Sequence, residues 1–357
     1  MKLLNKKLMS MLILILLVFS VAGCATTGES PSTGEPSTSE PSTSEPSDES
    51  TPVATENYQA TILGGSAGGM WSVITEGVAE SIRRGMSPDS RITTEPGKDG
   101  PNHTMVNRGE IELAVGYEAT AVMAMNGIEA FSEKHNDLVG VAVLSPIMPF
   151  QFFVDNKTGL TSMDELAIQE YPLRVSPNQA GSLMEIVTRK ALEAHNASYE
   201  NIKSWGGNVD FLPNTQAMAN WDMGLLDAVG EVAQYPLSAY VEFSMKNDIS
   251  LMTMNDDEVI NQLAEELGMT PYTIPANSYT FQPEDIKTIK SQLILMANKD
   301  LDETMVYEIV KAMHSNLNYL NNVHISLSTL DGKKMAEMNV PLHSGAVKFY
   351  KEAGYID

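Results

Sequence analysis

The chain is poor in cysteine: Cys24 is the only one in 357 residues. An intrachain disulfide is therefore impossible, and the fold must rest on its core. Basic residues are scarce as well, with 23 Lys and Arg against 46 Asp and Glu and a formal charge of -23. Nucleic-acid binders carry a basic footprint, so that class is excluded, as is a large electrostatic contact with an anionic membrane surface. No two of the six histidines (His103, His135, His195, His314, His324, His343) share metal-ligand spacing on one helix, so no metal is expected. The glycine-rich turn described below lacks both the G-K-[ST] ending and the G-x-G-x-x-G pattern of nucleotide loops. No cofactor is expected. Long apolar runs are missing too, apart from Leu8 to Val21, which is too short and wrongly flanked to span a membrane.

That run does have a reading. Lys2, Lys6 and Lys7 precede it, and Val21-Ala22-Gly23-Cys24 follows. This order marks residues 1–23 as a signal peptide. The small residues before Cys24 resemble a bacterial lipobox, which implies cleavage before Cys24 and lipid on that residue. An ordinary signal followed by a free thiol is the alternative. Residues 24–56 repeat Glu-Pro-Ser-Thr-Ser from Glu35 and Glu40, with almost no apolar side chains. Such a segment cannot bury enough surface to fold, and acids and prolines keep it extended. It is expected to be a tether.

The folded part is organised around Tyr58 to Glu80. Ala60, Ile62 and Leu63 suggest a short strand, Gly64, Gly65, Gly68 and Gly69 bracket Ser66, and Met70, Trp71, Ile74, Val78 and Ile82 follow at helical spacing. The first amides of such a helix have no internal partner and attract a carboxylate or phosphate. Further strands are expected at 91–95, 111–115, 138–144, 150–154, 173–175, 201–205, 226–229, 250–252, 279–281 and 291–297. Helices alternate with them, including 183–194, 256–267, one long helix over 301–320, and 343–352. A capping box is expected at Ser162 and Glu165. Alternation of this kind points to an α/β fold with mainly parallel sheets, whose ligands collect beyond the strand ends. Asn102, Tyr117, Glu118, Gln179, Gly181, Ser182, Glu231 and Tyr235 occupy such ends.

A serine hydrolase is a competing reading. Gly64-Gly-Ser-Ala-Gly68 matches G-x-S-x-G between strand and helix, and His314, His324 or His343 could complete a triad. Against it, the strand is the first after the tether, whereas elbow strands follow several others, and no HGGG-type loop occurs. A surface adhesin or spacer lipoprotein, with no small ligand, is the third class.

Lipobox, strand, G-G-[ST]-x-G-G and amphipathic helix together resemble the solute-binding subunit of a tripartite ATP-independent periplasmic (TRAP) transporter, TAXI type. Met105-Val-Asn-Arg-Gly-Glu-Ile-Glu-Leu-Ala-Val, Trp221-Asp-Met-Gly-Leu-Leu-Asp-Ala and Val340-Pro-Leu-His-Ser-Gly-Ala extend the resemblance over Tyr58 to Tyr355. It implies a non-enzymatic, extracytoplasmic protein of two α/β domains, a periplasmic-binding-protein-like type II fold with the ligand cleft between them. It also implies closure around a small organic or amino acid and delivery to the membrane permease. The domains are expected at 57–148 plus 246–357 and at 149–245, crossing within Val139 to Val154, in a monomer. The ligand set expected is Gly65, Ser66, Ala67, Gly68, Gly69 and Met70 on a carboxylate, and Trp71 as an apolar wall. Asn102, Tyr117, Gln179, Gly181, Ser182 and Glu231 would complete it. The family's paired tyrosines are replaced by Met70 and Trp71, and Glu231 stands where its loop is often glycine-rich. Should Glu118 and Glu231 face the cleft, an amino acid is favoured over a plain dicarboxylate.

Overall fold

A computed structural model describes residues 56–357. The expected signal peptide, Cys24 and all but the last tether residue lie outside the described residues. The chain begins with alternation: β1 (Gln59–Leu63), α1 (Met70–Gly85), β2 (Arg91–Glu95), α2 (Pro101–Asn107), β3 (Leu113–Tyr117) and α3 (Glu118–Asn126). β1 pairs parallel with β2 and with β3. β4 (Leu138–Asp155) then runs for 18 residues. A second alternating run follows it: α4 (Asp164–Ile168), β5 (Arg174–Ser176), α5 (Leu183–Ala194), α6 (Tyr199–Ser204), β6 (Asn208–Val209), α7 (Asn214–Asp222), β7 (Ala228–Val232) and α8 (Ser238–Ser244). β5 pairs parallel with β6 and β7. The chain ends with β8 (Ile249–Met252), α9 (Asp257–Leu267), β9 (Thr270–Ile274), β10 (Ile286–Asn298), α10 (Glu303–Ser315), α11 (Leu317–Leu320), α12 (Gly332–Ala336) and α13 (Ser344–Glu352).

Strand order is β2-β1-β3-β10-β4-β7-β5-β6, with β8 on β4 and β9 on β10. The two parallel triplets lie at opposite ends, and antiparallel β4 and β10 join them. This is a two-lobed α/β fold with mixed sheets. β4 changes partners in mid-strand. Leu138 to Pro149 pair with β10, whereas Phe150 to Val154 pair with β7 and Phe152 to Asp155 with β8. Pro146 and Pro149 sit at that change. They remove two ladder donors, which suggests two strands from the sequence, but they do not end the extended backbone. Register shifts in β10 between Ser291 and Leu293 take up the irregularity.

Other departures have local causes. Residues 201–205 lie in helix α6 and the turn after it, since the Ser198 side chain accepts from Asn201 N at 3.2 Å and caps a helix there. Residues 279–281 form no strand. β9 pairs with β10 instead, and its Pro271 is tolerated because β9 has no second neighbour. The long helix of 301–320 breaks at Asn316, whose amide donates to the carbonyls of Ala312 (2.9 Å) and Ser81 (3.1 Å). Glu165 accepts from Thr161 N and Ser162 N, but the Ser162 hydroxyl caps nothing and the helix starts one residue later. Among the described residues, no helix is long and apolar enough to cross a membrane.

Candidate ligand-binding site

The glycine loop leaves β1 and enters α1. Gly64 must be glycine for packing: a Cβ there would sit 2.6 Å from Thr75 Oγ1. Gly68 has φ of 78°, the left-handed region. Ser66, Ala67, Gly68 and Gly69 are exposed. The Gly69 amide donates to the Ser66 carbonyl at 3.0 Å. The amides of Ser66, Ala67, Gly68, Met70 and Trp71 donate to nothing among the described residues. α1 has no side-chain cap and no acid in its first turn. Its positive end is therefore open, with orphan donors and an uncompensated dipole.

Asn102 holds this loop in place. It is buried, its Nδ2 donates to Gly64 O (2.9 Å) and Val115 O (2.8 Å), and its Oδ1 accepts from Lys98 N (3.0 Å). Both donors and an acceptor site are spent inside the protein, so Asn102 shapes the loop. Trp71 packs edge-on against Tyr117, ring centroids 4.9 Å apart. The Tyr117 hydroxyl donates to the Val232 carbonyl at 2.6 Å, a bond from β3 in one lobe to β7 in the other. Burial and the nearby carboxylates of Asp99 and Glu231 push the Tyr117 phenol well up. The structure thus brings Trp71, Tyr117 and Glu231 together.

Glu231 is 5% exposed. Its Oε1 accepts from Asn178 Nδ2 and the Tyr240 hydroxyl, both at 3.4 Å, and from Asn214 Nδ2. Burial raises its pKa to about 7, against the pull of those donors. Asn178, Asn214 and Tyr240 escape a reading by sequence. Their one signal is polar residues at strand ends, since Asn178 follows β5 and Asn214 opens α7 after Pro213.

The second loop is closed on itself. The Ser182 side chain accepts from Glu185 N at 3.3 Å, and Glu185 Oε2 accepts from Gly181 N at 3.1 Å. Gln179 N donates to Asn178 Oδ1, and Ser182 N to Gln179 O. The backbone donors of Gln179, Gly181 and Ser182 are therefore occupied. Glu118 is held on its own side, accepting from Gln292 Nε2 (3.1 Å) and Asn339 N, with Lys290 opposing the rise in its pKa that burial causes.

The hydrolase geometry is not assembled among the described residues. His314 bonds the Tyr355 hydroxyl, His324 bonds Ser326, and His343 bonds Leu301 O and Gly345 N. None reaches Ser66.

A family model described as the NMT1-like family matches residues 62–354. The fold is similar to that of PhnD1 from Prochlorococcus marinus in complex with methylphosphonate, with a TM-score of 0.50 and 11% identity over 84% of this chain and 99% of that one. MatC from Rhodopseudomonas palustris with bound malate has a TM-score of 0.48 and 14% identity over 76% and 88%. A TctC solute-binding protein from Polaromonas has 0.47 and 14% over 85% and 98%.

Proposed function

We propose, from the premise that the chain belongs to the NMT1-like family, that it is an extracytoplasmic solute-binding protein of a TRAP-type transporter, TAXI type. In this reading it captures a small carboxylate-bearing solute between its lobes and delivers it to the membrane permease. The observation that carries the reading is the open N-terminus of α1. Five free amides and an uncapped helix start stand beside the Trp71–Tyr117 pair. A carboxylate there completes the orphan donors, and the half-buried Trp71 walls the site. The lobes are assigned as 57–148 plus 246–357 and 149–245, although β8 pairs with the second half of β4. Lipid on Cys24 would anchor a monomer by the tether at the outer face of the cytoplasmic membrane, or hold it in the periplasm near that membrane.

A thermal-shift screen of organic acids, amino acids, sugars and metals on the purified protein tests this. A ligand at 100 times its dissociation constant adds about 2.7 kcal/mol. Acids or amino acids should shift the melt; a response to sugars or metals alone would refute the assignment. Ser66→Ala separates binder from hydrolase. A lost hydrogen bond to a charged ligand costs at most about 3 kcal/mol, so affinity should fall about a hundredfold or less. Labelling of Ser66 by a fluorophosphonate with ester turnover would favour the hydrolase.

A further inference from the structure

Five carboxylates in the described residues are buried: Glu118, Asp155, Glu185, Asp227 and Glu231. Four of them have a cation at hand. Asp155 pairs with Lys157 at 3.1 Å, Glu185 with Arg189 at 3.3 Å, and Asp227 with Arg174. Glu118 lies in the field of Lys290. Glu231 stands apart, with no Lys, Arg or His within salt-bridge distance among the described residues. Its partners, Asn178, Asn214 and Tyr240, are neutral. All three donate to Oε1; Oε2 accepts from none of the described residues and is not among the sealed, unpartnered atoms. A buried carboxylate without a counter-ion is expensive, and proteins pair or neutralise it. Glu231 also sits at the end of β7, next to Val232, whose carbonyl takes the Tyr117 hydroxyl from the other lobe. Glu231 is thus one residue from the bond that joins the lobes, and its charge acts on the Tyr117 phenol, which packs against Trp71 at the open end of α1.

We propose that Glu231 Oε2 is the subsite for a cationic nitrogen, so that the solute pairs a carboxylate with an ammonium or guanidinium group. This rests on the solute-binding reading above and narrows it to amino acids and close analogues, against dicarboxylates and 2-oxo acids. The two ends of the solute meet opposite chemistry: backbone amides at α1 and a carboxylate oxygen at β7. A dicarboxylate without a cation would set its second negative charge against Glu231, which is buried and therefore poorly screened.

Matched pairs test it. L-Glutamate and 2-oxoglutarate, and L-leucine and 4-methyl-2-oxopentanoate, differ at one carbon, where the amine is replaced by a ketone. Calorimetric titration at pH 8 should give the amino acid of a binding pair at least about a tenfold advantage. Glu231→Gln should remove that advantage and leave the 2-oxo acid within about threefold of wild type. A wild-type protein that binds the 2-oxo acid or succinate as well as the amino acid, or better, overturns the inference while sparing the solute-binding reading. So does a Glu231→Gln protein with an unchanged ratio. Absence of binding by any acid or amino acid overturns both. Should the variant not fold, the wild-type ratio alone decides.

Discussion

The two lobes finish equivalent strand–loop–helix units in opposite ways. In one, β1 runs into a loop of four glycines and α1 starts with no cap, no acid and five idle amides. In the other, β5 runs into a loop where Asn178 and Glu185 side chains take the Gln179 and Gly181 amides and Ser182 caps α5 by accepting from Glu185 N. The first end carries neither cap nor acid; the second carries both, Ser182 and Glu185, although its Leu183 and Met184 amides also donate to nothing among the described residues. The charge on the second side comes instead from the neighbouring β7, as Glu231. Equivalent helix starts need not be equivalent sites, because whether a helix end attracts an anion depends on what already satisfies it.

The largest effect should come from making the first end resemble the second. Gly69 has φ -81° and ψ 165°, a backbone that an aspartate cap adopts freely. Gly69→Asp would place a carboxylate on the open amides. Carboxylate ligands should then lose at least about a thousandfold in affinity, since charged hydrogen bonds worth about 1.5–3 kcal/mol each are lost and a like charge is added. The melting temperature should change little, because the cap gained offsets the crowding of the new Cβ against Ser66 O, 3.2 Å away. Unchanged affinity by titration calorimetry would mean that α1 does not receive the ligand.

The next effect isolates the charge on the second side. The Glu231 carboxyl titrates at 4.5 in an ordinary setting and at about 7 in the folded protein. The folded state holds this proton more tightly than the unfolded chain. The resulting stabilisation is complete below about pH 4.5 and disappears as pH rises through about 7. Tyr117, Tyr240 and Tyr279 face the same carboxylate, but burial raises each of them further from neutrality. Between pH 4.5 and 8, unliganded wild type should therefore lose up to about 3 kcal/mol relative to Glu231→Gln. Urea unfolding of both proteins at the two pH values measures it, and parallel curves would show the carboxylate to be solvated.

Much of this contrast was legible in advance, and its failures have physical causes. The glycine loop and α1 announce themselves because glycine tolerance and apolar spacing are local properties. β2 is also legible to the residue, as Arg91-Ile-Thr-Thr-Glu. Capping shows where local pattern stops. S-x-x-E occurs at Ser162–Glu165 and at Ser182–Glu185. The first looked like a capping box, yet Ser162 is buried and bridges to Thr253, so its hydroxyl caps nothing. The second does cap, and its Glu185 takes the Gly181 amide, while Asn178 Oδ1 and the Gln179 carbonyl take those of Gln179 and Ser182. Asn102 was legible as a residue at a strand end but not as one whose donors face Gly64 and Val115. Glu231 draws Asn178 from 53 residues away, and no spacing rule reaches so far. The lobes themselves were visible as two alternating runs. The unbroken β4 was not, because prolines mark lost donors and not lost extension.

A smaller effect should follow from loosening the bond that joins the two sides. Tyr117→Phe keeps the ring against Trp71 and deletes the hydroxyl that reaches Val232 O. One hydrogen bond of this kind contributes about 1 kcal/mol. Affinity should fall about fivefold, and small-angle scattering of the unliganded protein should show a larger radius of gyration. An unchanged radius would mean that other contacts, such as Thr288 Oγ1 to Phe150 O, hold the lobes.

The smallest effect tests whether the second loop is as self-sufficient as its hydrogen bonds imply. Ser182→Ala removes the side chain that accepts from Glu185 N. Loss of a serine cap costs about 0.5–2 kcal/mol of stability. Glu185 Oε2 would still cover Gly181 N, and Arg189 and Tyr199 would still hold Glu185 Oε1. The loop should therefore keep its shape, with the cost at the lower end of that range. Ligand affinity should change by less than about threefold, because the hydroxyl that is lost faces its own helix and not the cleft. The same substitution at Ser66, on the open side, should do the reverse, weakening binding while leaving the melt in place. Equal losses of affinity at Ser182 and Ser66 would erase the difference between the loops and return Ser182 to the ligand.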